Sequence, residues 1–387
     1  MTHVPGHIRR RGMHSWQISV RAGRDPATGK YVRVYRTVRG TRKDAERALA
    51  RLLHEAATGG LVDPGRVTVG EWLDRWLHDI AKPNVAAKTW ERYEEVVRIH
   101  LKPHLGKIPL HQLRPAHIQR LYAGLQEAGK HSRTILHVHR VLHTALERAV
   151  KLEVVGRNVC DAVSPPRVRP QEIPVVTEAE LAQILRASEG TRLHIPVLLA
   201  ALCGLRRGEI LALRWSDVDL DHGVLQVRRS LEEVRVDGQR VVRPKEPKTG
   251  KARAVAMPPL AVEALRRHRK AQLEERLRAG PDWKDHDLVV CGPFGEPLNP
   301  NTVTWEFGHL MQRLGLRRRF HDLRHAHASH LVRAGVDVRT VAGRLGHSTP
   351  SLTLNVYGHE VPGAQEHAAL VMDRIIREAL QRTQEQP

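Results

Sequence analysis

The run Ser164-Pro165-Pro166-Arg167-Val168-Arg169-Pro170 rules out a single continuous body. Each proline fixes φ and removes a backbone donor, so three of them in so short a stretch deny helix and strand alike and leave an extended linker. A second break, Gly59-Gly60 followed by Asp63-Pro64-Gly65, acts in the same way. At 387 residues the chain is too long for one ordinary core. Three domains are therefore expected, at 1–62, 66–165 and 172–383.

The hydrophobic period differs between them. In the first, Trp16-Gln17-Ile18-Ser19-Val20 alternates, turns at Asp25-Pro26-Ala27-Thr28-Gly29 and resumes at Tyr31-Val32-Arg33-Val34-Tyr35, which predicts a hairpin. Thr41 then opens a helix that stops at Gly59-Gly60. The second reads as helices only. Trp72, Leu73, Trp76, Leu77 and Ile80 mark one apolar stripe, read as core packing, and Thr89–Leu101, Arg114–Ala128 and Ser132–Val150 give three more helices.

The third domain is mixed. Thr177-Glu178-Ala179-Glu180 is a capping box, and an apolar helix over Leu193–Cys203 is broken by Gly204. Strands are expected at Val224–Arg229, Leu231–Val236 and about Ala252–Met257, with mostly helix from there to Leu380. The fold class is mainly α with small β-sheets, multidomain: a β-sheet plus helix, a helical domain, and a mixed α/β domain.

Charge narrows the partner. With 63 Lys and Arg against 42 Asp and Glu, the net charge is +21, as suits a protein that meets a polyanion. The first sixty residues are densest, with 13 cations against 4 anions. A small arginine-bearing sheet on one helix can lay a β-ribbon into a DNA groove. Lys82, Lys88, Arg92, Arg98 and Lys102 favour a DNA-facing side on the helical domain. The three cysteines, Cys160, Cys203 and Cys291, lack the spacing of a zinc ribbon or a disulfide framework, so a reducing cytoplasm is expected. Arg9-Arg10-Arg11 is followed by no apolar leader, and no run approaches the ~18 apolar residues of a membrane span. Neither export nor insertion in a membrane is expected.

Breaking a phosphodiester takes cations around the non-bridging oxygens, a nucleophile in line with the leaving oxygen and an acid to protonate that oxygen. The third domain offers each type. Arg206 follows the helix break, Lys248 lies in Pro247-Lys248-Thr249-Gly250, and His321-Asp322-Leu323-Arg324-His325 puts His321 and Arg324 on one helical face. His347 ends the next helix and Tyr357 lies ten residues on. Singly each has a plain structural reading: a surface ion pair, a turn, a half-buried tyrosine. The histidine-rich stretch also has the spacing of a zinc-protease helix, with His327 and His330 nearby, but aspartate would misplace the general base and a metal site would leave Arg206, Lys248 and Tyr357 unexplained.

Taken in order, Arg206, Lys248, His321-x-x-Arg324, His347 and Tyr357 resemble the signature of the tyrosine recombinase, or phage integrase, family. The spacing from His347 to Tyr357 is similar to that of integrases from mobile elements. The resemblance covers nearly the whole chain. It implies an arm-type DNA-binding domain at 1–62, a helical SAM-like core-binding domain at 66–165 and a catalytic domain at 172–383.

It further implies that Arg206 and Arg324 clamp the scissile phosphate and that Tyr357 attacks it to form a 3′-phosphotyrosyl link. Lys248 is then the acid for the 5′-oxygen, His321 assists proton transfer, His347 hydrogen-bonds the phosphate and Glu209 supports the site from behind. Arg206, Arg324 and a phosphate-held His321 would favour the ionised phenol, whose ordinary pKa is about 10. No cofactor and no metal is implied. The expected partners are double-stranded DNA at core and arm attachment sites, three further copies of the chain in a homotetramer on DNA, a DNA-bending host factor and an excision factor. The expected location is the cytoplasm, at the nucleoid.

Other recombinases of the same chemistry, namely a chromosome-dimer resolvase, a transposon recombinase or an invertase, remain alternatives, as does an inactive DNA-binding relative. The basic module at 1–62 favours an integrase of a phage or integrative element, because housekeeping resolvases resemble only the last two domains.

Overall fold

The computed structural model describes residues 6–24, 31–57, 67–168, 175–236, 239–245, 252–347, 370 and 372–374. The chain divides into two compact units, Met1–Gln171 and Glu172–Pro387. The first opens with an antiparallel sheet in the order β1 (Gly6–Gly12), β2 (Ser15–Arg24), β3 (Tyr31–Arg39). The expected hairpin is β2–β3, and β1 is added to it through the register Ile8↔Ile18. Helix α1 (Arg42–Ala57) starts where Thr41 and Asp44 exchange hydrogen bonds, Thr41 N to Asp44 Oδ2 at 2.9 Å and Asp44 N to Thr41 Oγ1 at 3.3 Å. It covers Ile18, Val20 and Val34 with Ala45 and Leu52. The opposite face carries the cross-strand row Arg9, Gln17, Thr37, and Arg11 binds Gln17 Oε1 at 2.9 and 3.1 Å.

Helix α2 (Val69–Arg75) begins at a Thr68/Glu71 capping box and runs on through a wide turn, Trp76–Ala81, into α3 (Lys82–Asn84). Then α4 (Ala87–Val96) widens likewise over Val97–Leu101 into α5 (Lys102–Leu105). In each case a lysine N–H reaches five residues back, Lys82 to Leu77 and Lys102 to Val97. A proline follows each lysine at once, so the loosened turn lets the helix accommodate a ring that has no donor. Helices α6 (Pro115–Glu127) and α7 (Ser132–Lys151) complete a core around Trp72, Trp76 and Tyr122. Trp72 is core, as its spacing suggests: it is 1% exposed and its indole N–H donates to Ala145 O at 3.0 Å. The cations on this module are paired at the surface and stay exposed. Lys88, Arg92, Arg98 and Lys102 pair with Glu91, Glu95, Glu94 and Asp74, and Lys82 lies over the Trp90 ring.

The second unit starts with α8 (Glu178–Ser188), whose Thr177/Glu180 capping box is present. Buried α9 (His194–Cys203) and short α10 (Arg207–Leu211) follow. Two small sheets replace the expected set of three strands. β4 (Val218–Asp219), β5 (Val224–Val227) and β8 (Arg253–Ala256) form one, while β6 (Ser230–Val236) and β7 (Gln239–Lys245) form a separate ribbon. β7 escapes a reading by periodicity because it carries Arg240, Arg243, Pro244 and Lys245 on an edge, where proline is tolerated and charge pairs replace burial. Arg243 and Lys245 meet Glu232 at 3.3 and 2.9 Å.

Helices α11 (Pro259–Ala279), α12 (Pro300–Arg313), α13 (Phe320–Arg333) and α14 (Val338–Leu345) complete the unit. α9 runs through the core with all but two of its residues buried, and α13 packs on it. Among the described residues no helix is long and apolar enough to cross a membrane.

Candidate active site

The site forms where two left-handed glycines end helices. Gly204 closes α9 at φ 66° and Gly346 closes α14 at φ 64°, a conformation that costs glycine little and L side chains much. Neither has room for a side chain. A Cβ on Gly204 would lie 2.6 Å from the His327 ring, and one on Gly346 would lie 2.9 Å from the Arg253 guanidinium. These tight turns turn backbone carbonyls toward the arginines. Arg324 on α13 donates to Gly204 O and Leu345 O, both at 2.5 Å, and Arg206, which caps α10, donates to Gly346 O at 3.1 Å. The two guanidiniums predicted from sequence are thus fastened to successive carbonyls of one turn, next to His347.

Glu209 lies beneath them, 3% exposed. Its carboxylate accepts from the Arg206 backbone at 2.9 Å and from Arg206 Nη1 at 2.8 Å, and Arg324 Nη1 stands 3.9 Å away. Its strongest partner went unread in the sequence: Arg253 of β8 donates Nη1 and Nη2 to both oxygens at 2.9 and 2.7 Å, and its Nε to Arg344 O at 3.0 Å. Burial alone would raise the Glu209 pKa. The bidentate Arg253 bond and its charge, followed by the Arg206 contacts, overturn that and hold the pKa at about 2. The carboxylate is therefore ionised, with three guanidiniums around it, and the cationic excess faces the half-exposed Arg206.

His321 heads α13 with its ring edge-on to His325, centroids 4.7 Å apart. Crowding by protein, then the charges of His325, Arg324 and Arg206, push its pKa down to about 4. One edge of the ring is open to water, which weakens the crowding, but the guanidiniums act in the same direction. For His347, burial and then Arg324 and Arg206 also lower the pKa to about 4. Both imidazoles are neutral at pH 7 in the free protein. Before phosphate arrives, the positive charge belongs to the arginines; the expectation of a phosphate-held, charged His321 concerns the DNA-bound state. Lys248 and Tyr357 lie outside the described residues.

On the histidine-rich helix, the acid and the two later histidines of the zinc-like spacing are engaged within the protein. Asp322 is spent on Arg319, with Arg319 N to Oδ2 at 2.8 Å and Nη2 to Oδ1 at 2.9 Å. His330 Nε2 meets Val176 O at 3.0 Å. His327 is 8% exposed, with Nδ1 3.0 Å from Ala201 O and Nε2 accepting from Arg344 Nε at 3.0 Å. Among the described residues, no three His, Cys, Asp or Glu side chains gather as metal ligands.

Burial, then the Arg344 charge, lowers the His327 pKa to about 4. Below pH ~6.5 an unfolded chain takes up a proton at this position that the folded one refuses. Stability from His327 is therefore complete above that pH and is lost as pH falls toward about 4. Urea unfolding of the whole chain at pH 7, 5.5 and 4 is expected to show a progressive loss, on the order of 3 kcal/mol from this residue. The loss should shrink in His327→Gln; an equal loss in that variant would assign the pH dependence to other groups.

Residues 174–362 match the phage integrase family, and residues 68–126 match the N-terminal SAM-like domain of phage integrases. A protein of Caldanaerobacter subterraneus described as tyrosine recombinase XerC-like is 30% identical over 375 residues, covering 92% of this chain and 95% of its own. An integrase of Streptomyces ambofaciens is 30% identical over 369 residues, covering 94% of each. Two solved structures share the fold. The Tn1549 transposon integrase (residues 82–397) in complex with a circular intermediate DNA has a TM-score of 0.66 at 21% identity, over 80% of this chain and 99% of that one. A lambda integrase tetramer bound to a Holliday junction has a TM-score of 0.59 at 21% identity, over 90% and 98%.

Proposed function

Since this chain belongs to the phage integrase family, whose tyrosine recombinases cleave and rejoin DNA strands, we propose that Arg206 and Arg324 grip the scissile phosphate and that Tyr357 attacks it. The enzyme is a site-specific DNA recombinase acting in the integration and excision of mobile elements. The observation that carries the assignment of residues is the fastening of both guanidiniums to adjacent carbonyls, Leu345 and Gly346, over one buried carboxylate. Held this way, the part-exposed Arg206 and the buried Arg324 behind it form a preorganised positive charge for the phosphate, and the reaction need not reorganise it.

In the proposed step the phenol oxygen of Tyr357 bonds to phosphorus as the bond to the 5′-oxygen breaks. Neutral His321 is suited to take the phenol proton, which a charged imidazole would refuse. The Lys248 ammonium gives a proton to the departing 5′-oxygen. His347 donates a hydrogen bond to a non-bridging oxygen. The phosphodiester energy is kept in the 3′-phosphotyrosyl link, and a 5′-hydroxyl from another strand reverses the step to rejoin DNA.

The proposal assigns residues 1–62 to arm-type sites, 66–165 to core sites and 172–383 to catalysis. The Arg9, Gln17, Thr37 row gives the first of these an outward polar face suited to a groove. It also includes a homotetramer on DNA, as lambda integrase forms on its junction, a DNA-bending host factor, an excision factor and a location at the nucleoid in the cytoplasm.

A nicked duplex carrying the mapped crossover sequence should trap the full chain covalently in the presence of EDTA; no adduct would remove the catalytic assignment. Removing residues 1–62 is expected to weaken binding to distal arm sites at least ~10²-fold while core cleavage persists. Unchanged arm binding, or no second class of site, would favour the resolvase or invertase reading.

A further inference from the structure

Arg253 has no part in the proposed chemistry, yet it is the best-anchored charge at the site. All three of its guanidinium nitrogens donate within the protein: two to the Glu209 carboxylate and one to Arg344 O, in the last turn of α14. Its side chain is 12% exposed, against 30% for Arg206. Arg324 is buried more deeply still, at 4%, so what sets Arg253 apart is its grip on both oxygens of Glu209. Its guanidinium also fills the space a Cβ on Gly346 would need, and Gly346 O receives Arg206.

We propose that Arg253 is a positioning residue for strand cleavage: by binding both oxygens of Glu209, it shares that carboxylate's charge and leaves Arg206 and Arg324 less neutralised than Glu209 alone would. This rests on the reading of those two arginines as the phosphate clamp. Without Arg253, Glu209 keeps its negative charge and, among the described residues, the cations left beside it are those of the clamp, Arg206 at 2.8 Å and Arg324 at 3.9 Å. The clamp would then meet phosphate with one of its charges taken. Arg253 also begins β8, five residues beyond Lys248, so the bond ties the strand that follows the proposed acid to the turn beside His347.

Single-turnover adduct formation on the nicked core duplex tests this in the full chain, with core-site affinity measured alongside. Arg253→Gln should cleave at least tenfold slower than wild type, with core affinity within about threefold. Adding Glu209→Gln removes the uncompensated carboxylate, so E209Q/R253Q should cleave faster than R253Q alone. A merely structural arginine predicts the reverse, a double variant slower than either single one. Arg253→Lys, which keeps a charge beside Glu209, should fold even if R253Q does not, and should cleave faster than E209Q. Wild-type cleavage by R253Q, additive losses in the double variant, or a folded R253K slower than E209Q would overturn the proposal. Absence of any adduct from wild type would instead overturn the underlying reading of the clamp.

Discussion

Tyr357→Phe is expected to leave DNA binding intact and to abolish the covalent protein–DNA adduct. The substitution removes one oxygen and little volume, so core-site affinity should stay within a few-fold of wild type. The rate of cleavage should fall on the order of 10⁴-fold or more, since no other atom replaces a lost nucleophile. Denaturing gels of the nicked-duplex reaction read this directly. An adduct formed by the phenylalanine variant at wild-type yield would move the nucleophile elsewhere, to one of the four other tyrosines of the chain.

The second large effect concerns Arg324, which is 3% exposed. Alanine there would leave Gly204 O and Leu345 O without the donors they now have and open a cavity between α9 and α14. A destabilisation of about 2–4 kcal/mol is expected from unpaired buried carbonyls and lost packing. Cleavage should fall by ~10²-fold or more through loss of charge at the phosphate. Lysine separates the two contributions. It keeps the charge but cannot reach both carbonyls in a planar fork, so Arg324→Lys should recover part of the stability, as read by urea unfolding, and little of the cleavage rate. A lysine variant that cleaves like wild type would show that charge alone, and not bidentate geometry, is what the site requires.

Local spacing carried much of this site into view. Arg206 and Glu209 are three residues apart, and the same cap geometry that opens α10 brings the carboxylate back onto its arginine. His321 and Arg324 share a helix face for the same reason. Trp72 could be placed in a core because its neighbours repeat at helical intervals. Arg253 could not be found this way, since it meets Glu209 of α10 across 44 positions of sequence, from a strand that pairs with β5. Nothing local marks it apart from its place on a strand whose next residues alternate. His327 is the opposite case, a zinc-like spacing already set aside on sequence grounds. Its spacing within a histidine-rich stretch suggests a ligand, whereas its two nitrogens are taken by a carbonyl of α9 and by Arg344. Of the ribbon, β6 was expected over Leu231–Val236 but β7 was missed, because charge pairs to Glu232 help to hold it and leave no hydrophobic period to read.

The fit of Arg253 under Gly346 is also a constraint on inheritance. A larger residue at 346 collides with the guanidinium, and a smaller one at 253 releases the carboxylate that the arginine holds. Neither position can drift by a single step without loss, so in descendants of this chain the glycine and the arginine should persist as a pair or be replaced as one.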